Sequence, residues 1–157
     1  MKIFITLYSF SCMLLAQTNV ATTAASFLEI GAGAKSLSMG GAYVSVANDV
    51  SALYWNPSGI VNVERPSVHI YHSPWLVKTN FYHGGAVVPM GQAGVLGVSY
   101  TTVTMDEMDV RTVTYPDGTG EKFDVSNLAM GIAYAKKLTD RFSFGFQTKF
   151  VQEKIWK

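Results

Sequence analysis

The chain of 157 residues carries 12 basic and 11 acidic side chains and a formal net charge of +1, so its charge gives no footprint for nucleic acid or for a strongly acidic partner. Charged residues make up 15 % against the roughly 25 % usual in soluble domains, while hydrophobic residues reach 48 % and aromatics 13 %. A single domain is the expectation for this length.

Lys2 followed by the apolar run Ile3 to Ala16 has the form of a Sec-type signal peptide over residues 1–16. The run falls short of the roughly 20 apolar residues a spanning helix needs. Cleavage after Ala16 leaves Gln17 as the mature start, and sites as late as Ala24 or Ala25 also fit. The one cysteine, Cys12, lies inside this run, and Ser9 stands where a lipoprotein signal wants an aliphatic residue. The mature chain therefore has no disulfide or thiol chemistry. No later apolar run is long enough for a transmembrane helix, so a membrane location requires a closed β-barrel.

Residues 26–65 show no strong alternation. They are rich in Gly, Ala and Ser, with Gly31, Gly33, Gly40 and Gly41 able to pack closely, a helical possibility at Ala34–Tyr43 and a turn at Asn56-Pro57. The run Gly31-Ala32-Gly33-Ala34-Lys35-Ser36 invites a phosphate-loop reading that its spacing refuses. Ala34 stands where glycine must precede the Lys-Ser pair, and Glu29 stands at the upstream glycine position. Ser36 likewise replaces the third glycine of a dinucleotide fingerprint. No nucleotide or other cofactor is expected.

From Pro66 to Glu153 the pattern has period two. Leu96, Val98 and Tyr100 alternate with Gly97 and Ser99; Leu128, Met130, Ile132 and Tyr134 alternate with Ala129, Gly131 and Ala133; Phe142, Phe144, Phe146 and Phe150 alternate with Ser143, Gly145, Gln147 and Lys149. One face of the sheet is thus large and apolar and the other small or polar. The predicted strands are Pro66–Ser73, Asn80–Pro89, Ala93–Thr104, Ser126–Leu138 and Arg141–Glu153. Tight links follow the second and fourth strands and longer ones the first and third, the rhythm of outer-membrane barrels. The third link, Met105–Val125, holds the turn signal Tyr115-Pro116-Asp117-Gly118 and is placed outside the cell, with room for its own hairpin.

Several residue groups are weighed for chemistry. His69 and His72 fall on opposite strand faces and cannot share an ion, and with His83 they suit lumen or interface positions better than a metal site. Asp106, Glu107 and Asp109 form a small acidic cluster without calcium-loop spacing. No nucleophile–base constellation accompanies it, so no catalytic residues are assigned and the chain is not expected to be an enzyme. Trp75, Tyr71, Tyr82, Tyr100, Tyr134 and Trp156 suit an interfacial aromatic girdle, the alternative being the core of a soluble sandwich, where aromatics also collect. The export signal and the loop rhythm favour the girdle.

The stretch Phe27-Leu28-Glu29-Ile30-Gly31-Ala32-Gly33-Ala34-Lys35-Ser36, continuing through Met39-Gly40-Gly41-Ala42 to Tyr54-Trp55-Asn56-Pro57-Ser58-Gly59, resembles the N-terminal region of PorV/PorQ-type outer-membrane β-barrels, relatives of the FadL-like transporters. The run Ala133-Tyr134-Ala135-Lys136-Lys137-Leu138-Thr139-Asp140-Arg141-Phe142, then Lys149-Phe150-Val151-Gln152-Glu153, is similar to a barrel hairpin of the same family. The resemblance implies an all-β, FadL-like antiparallel transmembrane barrel, with residues 26–65 as an N-terminal plug or hatch and 66–157 as the first part of the barrel. It also implies a non-enzymatic role in type IX protein secretion at the cell surface, with outer-membrane lipid, secretion-machinery proteins and exported cargo as partners. Trp55, Asn56, Pro57, Ser58 and Gly59 correspond to the family's gate motif, with Ser58 in the place of an alanine and Asn56 pinning the loop. Asp106, Glu107, Asp109 and Asp117 would face partners outside. Two rivals stay open: a transporter of hydrophobic small molecules gated at Asn56-Pro57, and a periplasmic or secreted β-sandwich enzyme or adhesin. About five strands fall short of the roughly eight of a small barrel, and Lys157 is no terminal aromatic, so the chain is expected to be the N-terminal part of a larger barrel.

Overall fold

The computed structural model describes residues 24–156; the predicted signal segment, with Cys12 and Ala16, lies outside them. A 3-10 turn at Ser26–Glu29, a short helix α1 (Ala34–Ser38), a second helix α2 (Ala52–Trp55) and a 3-10 turn at Pro57–Asn62 come first. Six strands follow: β1 (Ser67–Pro74), β2 (Thr79–Pro89), β3 (Val95–Met105), β4 (Met108–Asp109), β5 (Lys122–Thr139) and β6 (Phe142–Trp156). All pairings are antiparallel, in the order β1-β2-β3-β5, with β6 along the far side of β5 and β4 on its first residues. The fold is all-β and the sheet is open, β1 and β6 being its edges among the described residues.

Most strand ends shift by one to three residues from the sequence expectation, and two features differ more. β5 begins at Lys122 rather than near Ser126, because the long loop makes its own hairpin: Met108 and Asp109 pair with Phe123 and Lys122. The first link is tight rather than long. Leu76-Val77-Lys78-Thr79 is a two-residue hairpin turn closed by the Thr79 N–H on the Leu76 carbonyl at 3.1 Å. Val77 (φ 53°) and Lys78 (φ 57°) both lie in the left-handed region, each at a cost of roughly 1–2 kcal/mol. Such turns usually announce themselves by Asn-Gly, and this one carries neither residue.

The two faces of the sheet are unlike. Outward stand Val68, Ile70, Leu96, Val98, Met130, Ile132, Phe144, Phe146 and Phe150, all exposed, Ile70 at 83 % and Phe150 at 66 %. Inward stand Phe81, His83, Val87, Val95, Ser99, Thr101, Ala129, Ala133 and Ala135, all buried. They are buried by residues 24–63, which lie against this face. Tyr43, Ala47, Val50, Leu53 and Ile60 pack on Val87, Val95, Ala133 and Ala135. A second cluster joins Phe27 and Ala32 to Phe81, Val103 and Ala129.

Glycines at inward strand positions make the fit. A Cβ on Gly97 of β3 would stand 2.5 Å from Leu53 Cδ2, and one on Gly85 of β2 2.8 Å from Leu53 Cδ1. The Leu53 side chain, fully buried, sits between them. On β6 a Cβ at Gly145 would lie 2.5 Å from the Ser58 nitrogen.

Gly97→Ala is therefore expected to loosen the N-terminal segment by about 1–3 kcal/mol through overpacking, and Leu53→Ala by about 2–5 kcal/mol through the cavity it leaves. The double variant should recover part of the first loss. Amide exchange over residues 47–63 reads all three, and simple additivity would show that the two side chains do not share one space.

Candidate functional site

Asn56 organises the N-terminal segment where it meets β6. Its extended backbone (φ −157°) caps the 3-10 turn at Pro57–Asn62, and its Oδ1 accepts from the Ser58 N–H at 3.2 Å and the Ser58 hydroxyl at 2.8 Å. Its Nδ2 donates to the Val44 carbonyl at 3.0 Å, tying the turn to a strand-less stretch twelve residues earlier. Pro57 occupies the first position of the turn, where a missing N–H costs nothing. Gly59 is required by space: a Cβ there would stand 2.1 Å from the Ala47 carbonyl oxygen. The Ser58 and Pro57 backbone rests on Gly145.

Trp55 links this turn to the glycine-rich stretch. Its indole N–H donates to the Ala32 carbonyl at 2.8 Å, and its ring lies 3.5 Å from where a Gly31 side chain would begin and 3.7 Å from one on Gly41. Gly31, Gly33, Gly40 and Gly41 all have positive φ (84°, 99°, 63° and 79°), which lets the chain fold tightly around this ring. The Ser36 hydroxyl donates to the Ala32 and Gly33 carbonyls at 2.6 and 2.7 Å. Lys35 and Ser36 are thus occupied in the fold: Lys35 reaches Asn48 Oδ1 at 3.4 Å and lies over the Tyr43 ring.

Sequence reasoning put small residues on the inner face but missed Leu53, which Gly85 and Gly97 receive, and Tyr54. Tyr54 donates to the Leu28 carbonyl, accepts from the Gly31 N–H at 3.2 Å and packs edge-on against His83 and Phe81. The available signal was glycine at alternate positions of strands otherwise rich in β-branched residues. His69 and His83 face inward with ring centroids 6.1 Å apart, and His83 is held by Thr101 at 2.9 Å, while His72 faces outward and stacks on Tyr82. Tyr71 corrects the girdle expectation: it faces inward onto Phe81. Tyr100 departs from that expectation in another way: it faces outward, but its row, with Ile70 and Met130, runs through the middle of the outer face and not along its rim.

The acidic residues lie elsewhere. Glu107 pairs with Lys122 at 3.1 Å across the β4–β5 hairpin, Asp109 is in β4, and Asp117 is at the exposed turn. Among the described residues no three His, Cys, Asp or Glu side chains gather as for a metal ion.

The outer face has edges. At one end Asn80, Thr104, Ser126 and Lys154 stand in one polar row; at the other Lys136 appears beside Phe144. From Ser126 to Lys136 is about 34 Å of strand, which at the tilt of about 40° usual in closed barrels would rise about 26 Å, against the roughly 25 Å apolar band of outer-membrane barrels. A shallow depression of about 770 Å³ is lined by the two central rows, around Gly84 and Ala86.

A family model described as type IX secretion system protein PorV matches residues 14–156. No curated protein and no solved structure matches the chain.

Asn56→Ala should weaken the turn by about 0.5–2 kcal/mol, seen as faster exchange of the Ser58 amide, with Asn56→Asp keeping the cap but losing the tie to Val44. Burial pushes the Asp49 carboxyl up, but hydrogen bonds from Ser51 and Tyr43 and the Lys35 charge outweigh it and hold the carboxyl below its usual value. Its contribution is then fully present above about pH 4 and lost as pH falls through the lowered folded-state value. Protease protection of residues 43–52, followed from pH 7 to pH 3, should lose this acid limb in Asp49→Asn.

Proposed function

We infer from this fold, in a chain that belongs to the PorV family of type IX secretion system proteins, that the protein works in the cell outer membrane as a non-enzymatic component of secretion. The observation that carries the location is the inside-out sheet. Its large side chains point away from the packed interior over a height that fits a bilayer, and its small and polar ones are covered by the N-terminal segment. In water such a face would be an aggregation hazard; in lipid it is the solvated side.

The finer reading is that the chain escorts exported proteins at the cell surface. The hairpin and loop between β3 and β5, with Asp106, Glu107, Asp109 and Asp117, are its contact surface for cargo and machinery. Residues 26–65 act as a plug on the lumen side. The turn Trp55–Gly59 holds that plug to β6 rather than reacting with a substrate. The secretion family matched over nearly the whole chain supports this role ahead of small-molecule transport.

The test is a cell carrying a variant with residues 106–118 replaced by a Gly/Ser linker. The variant should still enter the outer membrane, resisting alkaline extraction and needing detergent for release, while exported proteins accumulate behind it. Undisturbed export would overturn the contact role, and release of the unmodified protein without detergent would overturn the membrane reading.

A further inference from the structure

We propose that the tip of the β1–β2 hairpin, Trp75 to Lys78, is a lipid anchor that lies in the headgroup layer of the membrane and engages phosphate-bearing lipids. This rests on the outer-membrane reading above.

The tip is apolar and open. Leu76 and Val77 are 70 % and 69 % exposed and Trp75 is half-exposed, with no other element over them among the described residues. Nothing in the folding of a two-residue turn asks for these residues. Val77 and Lys78 adopt the left-handed conformation that glycine and asparagine take readily and that β-branched residues rarely take. The turn is kept in place by backbone bonds, Thr79 N–H to Leu76 O and Trp75 N–H to Thr79 O at 2.8 Å, and by the Thr79 hydroxyl on the Leu76 carbonyl. Side chains held in an unfavourable turn and left uncovered are placed for a surface outside the chain.

Position and charge select lipid as that surface. Pro74 stands opposite Asn80, in the polar row that ends the apolar band, and the outward His72–Tyr82 stack (4.5 Å) lies just inside it. Trp75 to Val77 therefore begin where the hydrocarbon ends and rise by a few ångströms, within a headgroup layer about 5–7 Å thick. Continuity with the lipid-facing rows of Val68 and Ile70 puts the same surface against the same solvent. A tryptophan beside aliphatic residues and a lysine is the composition of an interfacial anchor. From Pro66 to Pro89 the chain holds Lys78 and three histidines and no carboxylate, whereas the hairpin loop beyond β3 carries Asp106, Glu107, Asp109 and Asp117. Of the two outer connections, the first suits anionic headgroups and the second does not.

The test uses the full chain in vesicles, with Cys12→Ser and single nitroxide labels at Leu76→Cys, Val113→Cys or Ile70→Cys, comparing collisions with oxygen and with a water-soluble nickel complex. Ile70→Cys should be oxygen-accessible and nickel-protected, and Val113→Cys nickel-accessible. Leu76→Cys should show several-fold lower nickel accessibility than Val113→Cys. This protection should deepen when phosphatidylglycerol is added to phosphatidylcholine, and Lys78→Gln should remove that increment. A label at 76 as nickel-accessible as the one at 113, in both vesicle types, overturns the anchor. Protection with no dependence on the anionic lipid or on Lys78 overturns phosphate recognition. Nickel access at 70 would instead overturn the membrane reading itself.

Discussion

Leu53 lies where the side chains of two neighbouring strands would have been. A Cβ on Gly97 would stand 2.5 Å from one of its methyl groups and a Cβ on Gly85 2.8 Å from the other. The same exchange recurs at Gly145, whose missing side chain admits the backbone of Pro57 and Ser58. The rest of the architecture depends on this interlock. The inward face of the sheet cannot make a core from its own residues, because beside Phe81 and a few valines it carries mostly glycine, alanine, serine and threonine. It becomes a packed interior only when residues 24–63 supply Tyr43, Val50, Leu53 and Ile60. Interiors close-pack, so a ridge and its gap must match to within about a methylene.

That arrangement leaves the large residues outward. In a water-soluble sheet the strand alternation places Phe, Ile and Leu inside, at a gain of about 1.5–3 kcal/mol for each fully buried side chain. Here Phe142, Phe144, Phe146 and Phe150 of one strand, and Met130 and Ile132 of the next, forgo that burial against protein. The cost vanishes if their solvent is hydrocarbon. The sheet then needs only that its backbone bonds be met within the membrane, which antiparallel pairing does along β2, β3 and β5, each bonded on both sides. The polar row through Ser126 marks one place where such a solvent must end, and Lys136 brings the first charge at the other end of β5.

Much of this was legible in the residues, and for a physical reason. Period-two alternation is a local property, so the strands and their faces followed from it, and the tight links at Gly91 and Asp140 followed from turn chemistry. The dual hydrogen bonding of Asn56 was also legible, because an Asx side chain next to proline has few local uses. What was hidden depends on non-local contact. Tyr71 reads like a girdle residue until the register sets it opposite His83 on the inner face. The start of β5 is fixed by a partner strand of two residues in the loop before it. The β1–β2 turn was missed because Val77 and Lys78 contradict the rule for their own conformation.

The two constraints on each strand act through the same residues and in opposite senses. Because successive side chains alternate, a strand that gives glycine and alanine to the inner face turns every other position outward, and a slip of one residue would exchange the two faces. A shift of β3 by one place would put Val98 against Leu53 and Gly97 on the outer face. The N-terminal segment therefore does more than fill space: by demanding glycine at 85, 97 and 145, it fixes which residues face outward. The outward order of the sheet is thus set, strand by strand, by residues 24–63 packed on its other face.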